Sequence, residues 1–187
     1  EAAGDAVSLV SSGTMALMLA LGLGHLPPRA EVITTPLSFA ATAQAIAWCG
    51  LTPVFADVEP DSLTLCPRAV AAAITRRTAA LLPVHFLGLP CAVESLADLA
   101  QARGLWLVYD AAHAFGVTLR GQPIGHFGHA AAFSLHATKI LHTAEGGYVV
   151  TRRAQAPTLR RMRNFGLEGG QPVGPGLNGK MSELHAA

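Results

Sequence analysis

Apolar and polar positions divide the chain into short β-rich runs and longer stretches with helical spacing. Several of the short runs are continuous and apolar, such as "LWLVYD" (105–110), which is typical of strands covered on both faces. Seven strands are predicted on this basis: Val7–Ser11, Glu31–Thr35, Pro53–Val58, Ala79–Phe86, Leu105–Asp110, Ala131–His136 and Gly147–Thr151.

Helical stretches are predicted between most of these strands, at Thr14–Leu23, Phe39–Cys49, Arg68–Thr75 and Val93–Arg103. Alternation of strands and helices indicates βαβ units, so we expect an α/β fold with three layers (αβα) around a mostly parallel sheet. The last three strands have no helix between them, so at least one antiparallel pairing is expected there. The sheet is therefore predicted to be seven-stranded and mixed.

The amino-acid composition excludes several classes of protein. The chain has 187 residues, of which 51% are hydrophobic and 13% charged, so it can bury one core and is too apolar to be disordered. Its net charge of +1 predicts no basic face for nucleic acid and favours a small-molecule partner. No apolar run approaches the roughly 20 residues of a membrane span, so a cytoplasmic protein is expected. The three cysteines have no ligand-like spacing, so we expect no disulfide framework and no metal site.

The two ends indicate a piece of a longer protein. The chain starts at Glu1, without a methionine, and ends in "KMSELHAA", which is typical of the first turns of a helix. We therefore expect the chain to be a fragment of a longer protein.

Polar residues concentrate where the predicted strands end, which is where α/β sheets bind ligands. One such place is "VSSGTMALMLAL", where Gly13 and Thr14 open a helix whose free N–H groups could bind an anion. The alternative is an ordinary capped turn between a strand and a helix.

A second strand end carries Asp110, within "LVYDAAHAFG". A carboxylate after a buried strand stays ionised only beside a cation or strong donors, and a protonated heterocyclic nitrogen would serve. Alternatively, Asp110 caps a turn, and His113 is a core histidine.

A third strand end carries Ser134 and Lys139, the latter one of two lysines in the chain. A lysine beside a carbonyl cofactor forms a Schiff base, although a lysine at a strand end can also extend to solvent. Phe39 offers an aromatic face for a flat ring, or else packs in the core. These residues match the groups of pyridoxal 5'-phosphate. Its aldehyde needs a lysine, its ring nitrogen a carboxylate, and its phosphate the N-terminus of a helix.

The chain resembles the DegT/DnrJ/EryC1/StrS family of pyridoxal-phosphate-dependent sugar aminotransferases, which have the aspartate aminotransferase fold (fold type I). The matching stretches cover nearly the whole sequence: "VSSGTMALMLALGLG", "EVITTPLSFAATAQAIAWCGLTPVFADVEPDSLTL", "PVHFLGLPCAVESLADLAQARGLWLVYDAAHAFG", "FSLHATKILHTAEGGYVVT", "RNFG" and "NGKMSEL". The resemblance implies that residues 1–187 are a pyridoxal-phosphate-binding large domain, a fragment that lacks the family's N-terminal segment and C-terminal small domain.

The resemblance also implies roles for individual residues. Lys139 matches the Schiff-base lysine, and Asp110 the partner that keeps the pyridine nitrogen protonated. The other cofactor contacts are then the phosphate ligands Gly13, Thr14 and Ser134, the stacking residue Phe39, the ring neighbour His113, and Asn178, which the family donates to the neighbouring subunit's cofactor phosphate.

The function that this resemblance implies is transfer of an amino group from an amino acid, glutamate being expected, to a keto group of a nucleotide-linked sugar. A homodimer with shared active sites is expected as well. Three alternatives stay open: a sugar dehydratase, which would carry histidine in place of Lys139; a lyase or transaminase for amino acids alone; and a regulatory or binding protein that keeps the fold without catalysis.

Overall fold

Seven strands form one mixed sheet in the structure, a computed structural model that describes residues 4–187. All seven predicted strands are present, with these bounds: β1 Asp5–Val10, β2 Glu31–Thr34, β3 Thr52–Phe55, β4 Thr78–Leu82, β5 Trp106–Asp110, β6 Ala130–Ser134 and β7 Gly147–Arg152. Their order across the sheet is β1-β7-β6-β5-β4-β2-β3. The predicted fold class is therefore confirmed.

The pairing is parallel between β3, β2, β4, β5 and β6, and antiparallel where β7 lies between β6 and β1. The expected antiparallel pairing among the last strands is thus confirmed, and it occurs where no crossover helix is available. Because β5 and β6 are parallel, their carboxyl ends reach the same edge of the sheet, with Asp110 opposite Ala132.

Six helices accompany the sheet, at α1 Gly13–Gly22, α2 Ala40–Trp48, α3 Pro67–Ala73, α4 Val93–Arg103, α5 Ala156–Met162 and α6 Glu183–Ala186. The first four are those predicted from the sequence, and α6 lies within the predicted C-terminal helical turns. Helix α5 was not predicted. Two hairpins of two-residue strands, at Thr118–Pro123 and Leu167–Pro172, were also not predicted.

The sheet separates two apolar cores. Helices α1, α2 and α5 pack on one face against residues that include Val32, Val108 and Ala132. Helices α3 and α4 pack on the other face against Ile33, Tyr109 and their neighbours. Since side chains alternate along a strand, Asp110 shares the face of Val108, toward α1 and α2. None of the helices in residues 4–187 is both long and apolar enough to cross a bilayer.

Several strands end earlier than predicted, and for β4 and β6 the physical reason is visible. Strand β4 stops at Leu82 because Pro83 has no N–H group with which to continue the ladder. Strand β6 stops at Ser134, and the next residues form a turn in which the Lys139 N–H donates to the His136 carbonyl. Lys139 therefore lies on a loop beyond the sheet edge.

Candidate active site

A cavity of about 290 Å³ opens beyond the carboxyl ends of β5 and β6, beside the N-termini of α1 and α2. Seven of the eight residues expected at the site contribute to its wall: Gly13, Thr14, Phe39, Asp110, His113, Ser134 and Lys139. The eighth, Asn178, does not. Strand ends and helix starts thus bring residues from most of the chain into one cavity.

The N-terminus of α1 forms one end of this cavity. Ser12 caps the helix, with its hydroxyl accepting from the Met15 N–H at 3.1 Å, so the capped-turn interpretation is correct for Ser12. The first-turn N–H groups of Gly13 and Thr14 have no acceptor within a helix and lie at the cavity wall. Gly13 leaves room for Ser134, since a Cβ built on Gly13 would meet Ser134 Cβ at 2.8 Å. Two N–H groups and two hydroxyls therefore surround a space suited to an anion.

Asp110 forms the floor of the cavity and is only 4% exposed. Its Oδ2 accepts from the Thr42 hydroxyl at 2.7 Å, and its Oδ1 from the Ala112 N–H at 3.1 Å. Burial raises the pKa of the Asp110 carboxyl, while those two donors and, more weakly, the charges of His113 and Lys139 lower it. Among residues 4–187 no cation pairs with Asp110 at salt-bridge distance, so a cationic ligand would relieve the cost of its burial.

His113 is half-buried beside Asp110, and its Nδ1 is buried with no hydrogen-bond partner in the described part of the chain. Burial lowers the pKa of His113, the charge of Lys139 lowers it further, and Asp110 acts in the opposite direction. A neutral imidazole with one unused nitrogen can bind a ligand oxygen or N–H group. His113 is therefore at the cavity wall and not in either apolar core.

Lys139 is half-buried in the loop after β6, and its side chain forms part of the cavity wall. Near it, His136 Nε2 and Glu145 Oε1 lie 3.7 Å apart, and both of these residues also line the cavity. Lys139 therefore lies at the cavity wall and is not fully exposed to solvent.

Phe39 precedes α2 and is 77% exposed while it borders the cavity. Its exposure excludes the alternative of core packing. An aromatic ring at the mouth of a cavity offers a flat surface for a planar ligand.

Asn178 lies outside the cavity, in an exposed segment that pairs with Asn164. Its Oδ1 accepts from Lys180 Nζ at 3.0 Å. The next residue, Gly179, accepts from the Ser11 N–H at 2.9 Å, so this segment packs beside the turn that leads into α1. Since Lys180 donates to the amide oxygen of Asn178, the NH₂ group of that amide is the part it can offer to a further acceptor.

Six further polar residues line the cavity that were not assigned to the site from the sequence: Ser12, Ser38, Thr42, His136, Thr138 and Glu145. Helical spacing offers a signal for one of them, since Thr42 follows Phe39 by three residues and so lies on the same side of α2. Ser38, which precedes Phe39, is within reach of the same face. The loop residues have no comparable signal.

Pyridoxal phosphate suits the chemistry of these residues. A buried carboxylate without a cation fits a protonated ring nitrogen, and the unused Nδ1 of His113 fits a ring oxygen. The space between Gly13, Thr14 and Ser134 fits a phosphate, and Lys139 is the one lysine at the cavity wall.

Known proteins match the chain over nearly its full length. The sequence model of the DegT/DnrJ/EryC1/StrS aminotransferase family matches residues 3–187. A dTDP-4-amino-4,6-dideoxy-D-glucose transaminase of Shigella dysenteriae is 43% identical over 183 residues, which cover 97% of this chain and 49% of that protein. The spore coat polysaccharide biosynthesis protein SpsC of Bacillus subtilis is 46% identical over 142 residues, 76% of this chain and 36% of that one.

A solved structure agrees with these matches. DesI, crystallised in the presence of its TDP-sugar product, superimposes with a TM-score of 0.90 at 44% identity, covering 96% of this chain and 46% of that one. The chain thus spans about half the length of the relatives that it matches.

Proposed function

The chain belongs to the DegT/DnrJ/EryC1/StrS aminotransferase family, and from that premise we propose that the full-length protein transfers an amino group from an amino acid to a keto group of a nucleotide-linked sugar. Pyridoxal phosphate is the cofactor that this family uses and that the cavity fits. One geometric fact supports this function above all: a single cavity combines Lys139, the buried carboxyl of Asp110 and the anion-binding turn at Gly13.

The cofactor's contribution is chemical reactivity that side chains lack. When bound, pyridoxal phosphate supplies an aldehyde that links reversibly to amines and a protonated ring that draws electrons from the neighbouring carbon. The residues of the chain hold and orient this group. In the proposal, Thr14, Ser134 and the N–H groups that open α1 bind the phosphate, while Phe39 covers one face of the ring.

Asp110 supplies the electrostatic part of catalysis. Its carboxylate would accept a hydrogen bond from the protonated ring nitrogen, and in a nearly dry site a fixed opposite charge is worth far more than in water. His113 stays neutral next to it and uses its free nitrogen to orient the ring oxygen.

Lys139 has two roles in the proposal. Its Nζ would hold the cofactor through the aldehyde, since Lys139 is the one lysine at the cavity wall. As a free amine, the same group would move the proton of the substrate carbon, which is general acid-base catalysis. The structure of the loop after β6 suits this second role, since Lys139 lines the cavity together with His136, Thr138 and Glu145.

The substrates and the assembly are proposed on the basis of the relatives. The transaminase of Shigella dysenteriae and the TDP-sugar of the DesI structure suggest a dTDP-linked keto-sugar as acceptor, and glutamate is the proposed donor. The role of SpsC suggests a place in polysaccharide biosynthesis. We propose a homodimer in which Asn178 reaches the cofactor phosphate of the other subunit.

Borohydride reduction of the full-length protein tests the cofactor assignment. Purified protein should absorb in the visible range, lose that band on reduction, and carry the resulting label on the peptide that contains Lys139. Lys180 is the internal control, because it is the other lysine in these 187 residues. A colourless protein that ignores added pyridoxal phosphate would favour the regulatory alternative, and a label on Lys180 would contradict the role of Lys139.

The amino transfer itself is measured separately, with ¹⁵N-labelled amino acids and a dTDP-linked keto-sugar. Label from glutamate, and not from aspartate or alanine, should appear in the sugar product. Transfer from another amino acid would leave the enzyme class intact and change the donor.

A further inference from the structure

Two hydroxyl groups form a chain of hydrogen bonds that ends on Asp110. Ser38 Oγ lies 2.6 Å from Thr42 Oγ1, and Thr42 Oγ1 lies 2.7 Å from Asp110 Oδ2. An ionised carboxylate only accepts, so the single proton of the Thr42 hydroxyl points to Asp110. Ser38 must then donate to Thr42. The direction of both bonds is therefore fixed whenever Asp110 is ionised.

Thr42 is the donor that matters most for the charge of Asp110. It is only 1% exposed, so water does not compete for its hydroxyl. Burial raises the pKa of Asp110, and the hydrogen bond from Thr42 is the largest effect in the opposite direction, ahead of the Ala112 N–H. Within residues 4–187 these are the two groups that donate hydrogen bonds to this carboxyl.

The position of Thr42 follows from the start of α2. Ser38 and Thr42 are four residues apart, so they lie on one side of the first turn, and that side faces the end of β5. The N-terminus of a helix also favours a nearby negative charge. The hydroxyl chain and the helix terminus thus act on Asp110 in the same direction.

We propose that Thr42, supported by Ser38, is a positioning residue that keeps Asp110 ionised and aimed at the ring nitrogen of the cofactor. This inference rests on the proposed function, because it needs a ligand with a protonated ring nitrogen. Thr42 does not touch the reacting atoms in this scheme. It acts through the carboxylate, and Ser38 acts through Thr42.

The test compares two ligands for each variant of the full-length protein, prepared without cofactor. One is pyridoxal phosphate, and the other is an analogue with a C–H group in place of the ring nitrogen. The measured quantity is the ratio of the two dissociation constants. Both measurements start from the same free protein, so any change in that protein cancels in the ratio. The ratio then reports how much Asp110 favours a protonated ring nitrogen.

Wild type should prefer pyridoxal phosphate, and Thr42→Val should lower this preference about tenfold, which corresponds to about 1.4 kcal/mol. Thr42→Ser keeps the hydroxyl and should restore the ratio. Ser38→Ala should lower it in the same direction by a smaller factor. Should the valine variant not fold, Thr42→Ala removes the hydroxyl without adding bulk and should give the same decrease.

The outcomes separate this inference from the proposed function. A wild-type protein that binds neither ligand contradicts the function itself. A wild-type protein that prefers pyridoxal phosphate, together with an unchanged ratio in Thr42→Val or Thr42→Ala, overturns the role of Thr42 alone. A loss of overall affinity with the same ratio would show that Thr42 only packs the cavity wall.

Discussion

Gly13 lies directly against Ser134, and a Cβ on Gly13 would come within 3.1 Å of the Ser134 hydroxyl oxygen and 2.8 Å of its Cβ. The two residues belong to elements far apart in sequence, the start of α1 and the end of β6. Their contact forms the narrow end of the cavity, where the phosphate is proposed to bind. Any side chain at position 13 would have to displace either Ser134 or the helix.

Gly13→Ala should therefore weaken pyridoxal phosphate binding by at least about tenfold. Overpacking of this kind also costs about 1–3 kcal/mol of stability. Gly174→Ala is the matched control, because a Cβ there meets nothing within 4 Å. Cofactor titration and chemical unfolding measure the two effects. If Gly13→Ala bound the cofactor as tightly as Gly174→Ala, the phosphate would have to bind elsewhere.

Asp110→Asn keeps the size of the side chain and removes its charge. The turnover rate should fall at least about a hundredfold, since a fixed charge that stabilises the transition state is lost. Asp98→Asn changes an exposed carboxyl on α4, on the other side of the sheet, and should leave the rate unchanged. Steady-state kinetics with saturating cofactor gives the comparison. A near-normal rate with bound cofactor would show that Asp110 only caps a turn and has no electrostatic role in catalysis.

Mixed dimers of two inactive variants show whether Asn178 acts in the active site of its own subunit or in that of the other subunit. Lys139→Ala removes the covalent lysine, and Asn178→Asp sets a carboxylate against the phosphate. If Asn178 acts across the interface, one site of each mixed dimer combines an intact Lys139 with an intact Asn178. Random exchange makes about half of the dimers mixed, so about a quarter of all sites should be active.

Each parent alone should be nearly inactive in the same assay. In the structure Gly179 packs beside Ser11 of its own chain, so the assay compares action across the interface with action within one subunit. Were Asn178 to act within its own subunit, every site would keep one defect, and mixing would restore no activity. Subunit exchange is checked independently with differently labelled parents.

His85 gives the domain a pH dependence that is separate from catalysis. It is fully buried, stacks on Tyr109 with 4.6 Å between ring centroids, and accepts from the Cys91 N–H at 3.0 Å through Nδ1. Burial lowers the pKa of His85 to about 4 in the folded protein. The unfolded chain binds a proton at this residue near pH 6.5, so acid favours unfolding.

The contribution of His85 to stability is complete above about pH 6.5 and is lost as the pH falls toward 4. Its size is on the order of 3 kcal/mol. His85→Gln cannot titrate, so the difference in unfolding free energy between wild type and variant should shrink over this range. His25→Gln replaces an exposed histidine and serves as control. Equal pH slopes for wild type and His85→Gln in urea unfolding would refute this contribution.

The elements of the fold could be predicted wherever they bury continuous apolar surface. The run that forms β5 and the helix that forms α4 are examples. Helix α5 was missed because its sequence "APTLRRM" has only seven residues, and such a short helix is stabilised by its place on the sheet. The order of the strands in the sheet could not be predicted either, since it depends on contacts between segments that are distant in sequence.

The residues of the site also differ in how far the sequence predicts them. Asp110 could be placed at the sheet edge because a carboxylate is unusual at the end of a buried strand, and the family resemblance pointed to Lys139. Thr42 was missed although its spacing from Phe39 puts both on one side of α2, because a threonine inside a helix is ordinary until the sheet brings Asp110 to 2.7 Å from it. The surroundings of Asn178 were also hidden, since the contact with Lys180 depends on how the glycine-rich loop folds.

Strand β7 determines when the anion-binding turn can form during folding. It pairs with β6 on one side and with β1 on the other, and β1 has no other neighbour in the sheet. About three quarters of the described chain separates β1 from β7, and pairings over such distances form slowly. The turn after β1 therefore reaches Ser134 only once Gly147–Arg152 has been made and has joined the sheet. A growing chain on the ribosome should acquire cofactor affinity late, in one step, when this strand is added.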